Sequence, residues 1–368
     1  MSIPNLIPHK TLYISGYIYS YYAFVFIFEF PEHISKHILQ FHTFFYPLKP
    51  YRSRMAIRII MQKLTLSLFF LFLAACAKNL EERAERGDVE AQYKLARQYQ
   101  DSAQGDGYYD PADMQCAIRW YELAAEQGHA KAQCNLAYIY ESGLSVPVDS
   151  LRAIELYKES ASQGYAPAQW SLAVAYYNGD GIDQDRTKAY PFIISAAEQG
   201  IVAAQVALGD MYRKGEFMNQ NDSSALVWYR KAALSDDIRA CIAVGDYFES
   251  GGNGIRRNFQ AAINWYMKAA EQNSVEAQNR LAYLYLKLEG GEPSDKDYQN
   301  AFYWLKMAAE QGDASAQYNV GIFYYYGHGV DRNPEEAIKW IGMAADQGSE
   351  AAHAFFQYWK NFNKRFGL

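Results

Sequence analysis

The sequence predicts an all-α fold, a right-handed superhelical solenoid of antiparallel helix pairs, about seven repeats followed by a terminal helix. Three observations carry this reading. One stretch, Ala308 to Val330 (AAEQGDASAQYNVGIFYYYGHGV), recurs in outline along the chain. In it a small pair closes one helix and Gln311-Gly312 turn the chain. Ala316, Val320 and Tyr324 then recur at four-residue spacing, which lines one face of the next helix. The copies also keep register: the turn positions Arg86, Gln127, Gln163, Gln199, Ser235, Gln272, Gln311 and Gln347 are 41, 36, 36, 36, 37, 39 and 36 residues apart. Finally, each copy holds two helices with different signatures and a Gly-containing loop between them. Units of this size cannot bury their apolar faces alone, so neighbours must stack.

Taken in order, the first helix of each copy opens on a small residue, usually Gln, then a large apolar residue. The copies are Ala91-Gln92-Leu95, Ala132-Gln133-Leu136, Ala168-Gln169-Leu172, Ala204-Gln205-Leu208, Ala240-Cys241-Val244, Ala277-Gln278-Leu281 and Ala316-Gln317-Val320. An aromatic follows four residues later each time: Tyr99, Tyr140, Tyr176, Tyr212, Phe248, Tyr285 and Tyr324. The second helix carries Ala, a large side chain three residues on, and a small pair. Its large slot holds Trp120, Leu156, Phe192, Trp228, Trp265, Trp304 and Trp340, expected to fill the gap that the small pairs leave between close backbones. Asn333-Pro334-Glu335-Glu336 has the N-cap, Pro and Glu of a capping box, and Asp149, Asp185 and Asn258 occupy similar cap positions. Asp236 and Asn273 stand where other turns have Gly; Asp tolerates positive φ less readily than Asn, so a local irregularity is expected there. The loops Asp101 to Asp113 and Leu288 to Asp297 are longer than the rest, and a last helix near Glu350–Asn361 precedes a basic tail with Lys364 and Arg365.

The repeating motif is A-x-x-W-x-x-x-A-A-x-Q-G-x-x-x-A-Q-x-x-L-x-x-x-Y followed by G-x-G-V. It resembles that of the Sel1-like repeat family, relatives of the tetratricopeptide repeats, over about residues 80–360. The solenoid is accordingly placed at residues 80–362. The resemblance implies a protein-interaction scaffold without catalytic or cofactor chemistry. A cysteine-rich branch of the family has been linked to penicillin binding, so a β-lactamase-like or cell-wall activity is the alternative. That branch pairs one disulfide per repeat, whereas here Cys116, Cys134 and Cys241 are scattered, odd in number and off zinc-site spacing. They read as small buried residues. No Ser is followed by Lys three residues on and no Lys-Thr-Gly occurs, so the serine β-lactamase set is missing.

Formal net charge is −6, but the ends differ: residues 1–75 hold seven Lys/Arg and two Asp/Glu, and their +5 leaves −11 on the remainder. A body this acidic lacks the basic stripe of a nucleic-acid binder. Residues 1–54 are rich in Tyr, Phe, Ile and His and carry no repeat; Thr11 to Phe30 is long enough to be a membrane-span candidate, weakened by its Tyr content and Glu29. The expectation is that this leader lies upstream of the true start, at Met55 or Met61. Arg58 and Lys63 then form a short positive region, and Leu64 to Leu73 an apolar run of signal-peptide length. Leu73-Ala74-Ala75-Cys76 follows and resembles a bacterial lipobox, so residues 55–76 read as a lipoprotein signal with Cys76 the lipidated first residue of the mature chain. Ala77 after the Cys implies, by the sorting rule of such lipoproteins, an outer-membrane protein facing the periplasm. An adaptor that keeps the long leader in the cytoplasm or membrane is the competing arrangement.

Chemical constellations are scarce. His33 and His37 lack the Glu of a zinc-protease motif; Asp180, Asp183 and Asp185 miss the EF-hand spacing; Gly179-x-Gly181 and Gly327-x-Gly329 follow no strand and read as repeat turns. His129, His328 and His353 are isolated. What remains is surface. The positions one and five after the Gln slot point away from the Ala/Leu/Tyr face and carry Tyr93, Arg97, Tyr138, Trp170, Val174, Val206, Asp210, Asp246, Tyr283, Tyr318 and Ile322. In repeat solenoids these first helices line the concave side. Aromatic anchors with a few charges suit a peptide groove, so Tyr93, Arg97, Tyr138, Trp170, Asp210, Asp246, Tyr283 and Tyr318 are the candidate contacts for an unidentified protein or peptide partner.

Overall fold

The computed structural model describes residues 79–105, 109–287 and 292–366, with side chains in the last helix described to 359. The leader 1–54 with its span candidate and His33/His37, the signal segment with Cys76, the side chains of Lys364 and Arg365, and parts of the two long loops lie outside them. The chain divides into two units, Met1–Asn79 and Leu80–Leu368, and the second carries the repeats.

Helical residues 79–85 lead into α1 (Val89–Ala103), α2 (Pro111–Glu126), α3 (Ala130–Ser142), α4 (Ser150–Ser162) and α5 (Ala166–Asn178). Next come α6 (Arg186–Glu198), α7 (Val202–Lys214), α8 (Asp222–Ala233), α9 (Ile238–Ser250) and α10 (Phe259–Ala270). The last five are α11 (Val275–Leu286), α12 (Asp295–Glu310), α13 (Ala314–Tyr326), α14 (Pro334–Asp346) and α15 (Glu350–Phe366). From α1 to α14 the helices form seven pairs; each odd helix packs on the even helix after it, each even helix packs on the next odd one, and α15 rests on α14. The described residues thus build an all-α solenoid, with a single isolated bridge, Gly252 to Ile255, in place of any strand among them.

Local chemistry sets the boundaries. The carboxylates of Asp149 and Asp185 and the side-chain carbonyls of Asn258 and Asn333 accept first-turn N–H groups, as their positions predict. Each such cap contributes about 1 kcal/mol. A reciprocal capping box forms not at Asn333 but at Ser294–Asp297, where the Asp297 carboxylate also accepts the Ser294 N–H; Glu336 instead pairs with Lys339. At the turns between pairs Gly128 has φ 83°, and Asp236 (φ 57°) and Asn273 (φ 64°) adopt the same left-handed conformation. The expected irregularity is therefore small: the turn survives, and α8 and α10 end on the second residue of the small pair, one residue earlier than in the other pairs.

The packing corrects the reading of the large slot. Leu156, Trp304 and Trp340 are buried, but Trp120, Phe192, Trp228 and Trp265 are only half-buried. The residue after the slot is the one buried in every pair: Tyr121, Tyr157, Ile193, Tyr229, Tyr266, Leu305 and Ile341. In α2, α8 and α10 the slot indole covers apolar surface and still meets water, and the Lys231 and Lys268 ammonium groups lie over the Trp228 and Trp265 rings at 3.7 and 5.1 Å. Cys134 and Cys241 are buried as expected. Cys116 is exposed, because it lies one residue, or about 100° of helix, away from buried Ala117.

A ladder of glutamines links the repeats. The buried amide of Gln133 donates to the Ala125 carbonyl near the end of α2 (3.2 Å), and its oxygen accepts from the turn glutamine Gln163 (2.7 Å). The same two bonds recur at Gln92, Gln169, Gln278 and Gln317, with Gln127, Gln199, Gln311 and Gln347 as donors. Two neighbouring pairs lack the outer bond. Gln205 faces Ser235, too short to donate; Cys241 replaces the inner Gln, and Gln272 turns to the Asp236 carbonyl.

Candidate binding surface

The odd helices present a face whose side chains join across pairs. Tyr93 on α1 stacks on His129, the N-cap of α3 (ring centroids 4.6 Å apart), while the His129 Nε2 lies 3.3 Å from Glu90. The Nδ1 of His129 accepts the Ala132 N–H, so the ring proton sits on Nε2 toward Glu90. Further along, Asn279 on α11 donates to Asp313, the N-cap of α13 (3.1 Å), and Tyr325 of α13 packs edge-on against Phe355 and Trp359 of α15.

Of the candidate contacts, Tyr138 and Tyr283 are the freely presented aromatics, 53% and 58% exposed. Arg97 is exposed and pairs with Asp101 (3.6 Å). Tyr93, Trp170 and Tyr318 are half-buried: Trp170 lies against the cluster of Ala173, Ile193 and Leu208, and Tyr318, with Ile322, against Ile341 and Ala352. Val206 is corrected to core, 2% exposed: it packs in the cluster that holds Ala225, Tyr229 and Ile242, and Cys134 and Ile242, at the same position after the slot, are buried too.

Asp210 and Asp246 hold buried phenols. Tyr229 donates its hydroxyl to Asp210 (2.5 Å), which also pairs with Arg213 (3.1 Å). Tyr266 donates to Asp246 (2.6 Å), with Glu249 a second acceptor at 2.9 Å; Arg280 from α11 then bridges Asp246 (2.5 Å) and Glu276 (2.9 Å), and Lys287 reaches Glu249 (3.4 Å). Tyr157 donates to Glu141 in the same manner (2.8 Å). In α1–α3 the pattern is neutral: the Tyr121 hydroxyl donates to Gln100 (2.6 Å) and accepts from Asn135 (3.0 Å). Burial holds the Asp246 carboxyl above the usual carboxylate range, opposed by the Tyr266 bond and the Arg280 charge. Burial, reinforced by the carboxylate bonds, pushes the Tyr266 phenol far above its ordinary value.

Sequence reasoning missed Glu141, Glu249 and Arg280, which share this network. A signal existed. Tyr follows the large slot in four even helices, Tyr121, Tyr157, Tyr229 and Tyr266, and Gly209 and Gly245 replace the Ala of other odd helices opposite two of them. A Cβ on Gly209 would come within 2.8 Å of the Tyr229 ring, so the Gly makes room for the phenol. Among the described residues no cluster of His, Cys, Asp and Glu is arranged to hold a metal ion. Asp180 accepts from Asn178 and Asp185 caps α6. The chemistry this face offers is recognition through aromatic planes, fixed carboxylates and a few cations.

These features define a class, an all-α repeat solenoid that acts through its surfaces. The chain belongs to the Sel1 repeat family, whose model matches seven consecutive segments, 89–129, 130–165, 166–201, 202–237, 238–274, 275–313 and 314–349. Among solved structures it is similar to c5321, described as a protective antigen present in uropathogenic Escherichia coli strains, with 33% identity and a TM-score of 0.63. That match covers 75% of this chain and 57% of the E. coli chain, so it spans little more than half of that protein. It is also similar to a Sel1 repeat protein from Oxalobacter formigenes, with 31% identity and a TM-score of 0.52 over 63% of this chain and 92% of that one. A search of curated proteins gave no match. Sel1 repeat proteins generally serve as scaffolds for protein interactions, typically without catalysis.

Proposed function

We propose that this protein is a non-enzymatic adaptor that binds a peptide or protein segment along the concave, odd-helix face, while a lipid on Cys76 tethers it to the bacterial envelope, at the outer membrane and facing the periplasm. One observation carries the binding half: exposed Tyr138 and Tyr283 and half-buried Tyr93, Trp170 and Tyr318 recur on one helix face, held by cross-pair contacts. Rigid aromatics lose little conformational freedom on binding and dominate interface energy. Asp210 and Asp246, each paired with an arginine and a buried phenol, add fixed polar groups, and Arg97 supplies a guanidinium for an acidic group of the partner. The anchoring half rests on the positive region, apolar run and Leu73-Ala74-Ala75-Cys76 of the sequence.

Capture from envelope extract by wild type and by Tyr138→Ala/Tyr283→Ala tests the face. Both side chains are largely exposed, so the expected result is an unchanged melting temperature and a loss of about 2 kcal/mol in partner binding, the hot-spot scale. Equal capture by both proteins refutes the face. Mass spectrometry of the native protein tests the anchor: the expected N-terminus is lipidated Cys76, and a mature species retaining Tyr13 to Tyr51 refutes it.

A further inference from the structure

The loop between α9 and α10 is built differently from its counterparts. From the Gly that ends the odd helix to the N-cap of the even one, it runs from Gly251 to Asn258, one residue longer than Gly143–Asp149, Gly179–Asp185, Gly215–Asn221 or Gly327–Asn333. In two of the regular loops a second Gly lies directly on the preceding even helix, and Ser145 and Phe217 take that position in the other two. A Cβ on Gly181 would come within 2.7 Å of the Ser150 side chain and 3.1 Å of its carbonyl, and one on Gly329 would strike the backbone of Tyr298. With the extra residue the α9–α10 loop forms the small bridge of Gly252 and Ile255, and it meets the start of α8 through the Ser223 hydroxyl, which donates to the Asn253 carbonyl (3.3 Å). An open cleft of about 730 Å³ remains between the loop and α8.

Its composition is distinctive. Leu226, Phe248 and Phe259 give it an apolar floor, and Arg230, Arg256 and Arg257 stand around it. Arg257 is engaged, its guanidinium 4.9 Å from the centre of the Phe259 ring. Arg230 and Arg256 are exposed, and neither forms an ion pair or side-chain hydrogen bond with a described residue. Asp222, at the start of α8, accepts the Tyr247 hydroxyl and the Asn253 N–H, both at 3.2 Å. Three arginines thus line one cleft with two phenylalanines, in a body whose charge is −11 once the +5 of residues 1–75 is set aside from the total of −6. The volume lies within the range of ligand sites, roughly 300–1,000 Å³, and guanidinium groups bind carboxylates through paired hydrogen bonds.

We propose that this cleft binds a carboxylate carried on an apolar residue, as at the C-terminus of a polypeptide ending in an aromatic or aliphatic side chain. The rings take the side chain, and Arg230 and Arg256 take the carboxylate. The cleft is separate from the odd-helix face, so either site stands if the other fails. The test is fluorescence anisotropy on the full-length protein with N-terminally labelled Gly-Gly-Phe-Phe as free acid and as C-terminal amide. The free acid is expected to bind at least tenfold tighter, and Arg230→Ala and Arg256→Ala each to reduce that preference below threefold with an unchanged helical circular dichroism spectrum. Tyr138→Ala/Tyr283→Ala should leave it intact. Equal binding of acid and amide, or a preference that survives both arginine variants, overturns the proposal. Displacement of the peptide by equimolar inorganic phosphate overturns it as well, since it reduces the cleft to a general anion site in which the aromatic floor plays no part.

Discussion

Replacing Gln278 by Met measures one rung of the glutamine ladder. Gln278 is fully buried; its amide donates to the Ala270 carbonyl (3.2 Å) and its oxygen accepts from Gln311 (2.9 Å). Met has similar length and an adaptable thioether, so the exchange removes two hydrogen bonds with little cavity. The Ala270 carbonyl keeps the Asn273 N–H (3.0 Å), and the Gln311 amide keeps a long bond to the Met307 carbonyl (3.4 Å), so no orphan penalty is added. Two net hydrogen bonds at about 1 kcal/mol each give a loss of about 2 kcal/mol. Gln205 is the internal control: with Ser235 opposite, it makes only the bond to Ala197 (3.2 Å), and Gln205→Met should cost about 1 kcal/mol. Because an array need not unfold in one step, native-state amide exchange is the assay. Exchange in α10–α13 should quicken about 30-fold for Gln278→Met, and exchange in α6–α8 about fivefold for Gln205→Met. Equal effects at the two sites, or a change under twofold at Gln278, would refute the ladder as a source of stability.

Other outcomes follow from the same structure. Ser235→Gln supplies the missing donor to Gln205 and should stabilise α7–α9 by about 1 kcal/mol in the same exchange experiment. Trp304, only 8% exposed, should cost about 3–5 kcal/mol on substitution by Ala, with exchange rising first in α11–α14; a uniform rise along the array would contradict nearest-neighbour stacking. Burial raises the phenols of Tyr121, Tyr157, Tyr229 and Tyr266 above their ordinary value of 10.0. The folded state therefore holds these protons more tightly than the unfolded chain. The resulting stability is complete below the unfolded value and is lost as pH rises from there toward the folded values, at up to about 1.4 kcal/mol per pH unit for each phenol. Urea titrations from pH 9 to 11 should show this loss, and Tyr266→Phe should make it shallower.

The fold was legible because a register repeated seven times is evidence of a kind that single-helix propensity is not. Small residues, Gln and Gly recur wherever two backbones approach, a carbonyl needs a donor or φ turns positive, so each copy tests the others. The caps at Asp149, Asp185, Asn258 and Asn333 were readable for the same reason: their chemistry is local. The network at Tyr266 was not, since Asp246, Glu249 and Arg280 come from two odd helices and meet only after pairs stack. Val206 shows the limit of periodicity, which counts residues around one helix and cannot register the neighbouring helices that pack over it. The arginine cleft depends on one extra residue in one loop, a length change that motif matching absorbs as a gap.

The two absent rungs lie side by side, at Gln205–Ser235 and Cys241–Gln272. Elsewhere the outer bond ties the end of an even helix to the odd helix of its own pair. Here the polar ties run between pairs instead: Gln272 donates to the Asp236 carbonyl, and the Tyr247 hydroxyl and the Asn253 N–H both reach Asp222. Helices α7 and α8, and α9 and α10, therefore close at that end without the glutamine tie, and the buried phenols still join them, Tyr229 to Asp210 and Tyr266 to Asp246.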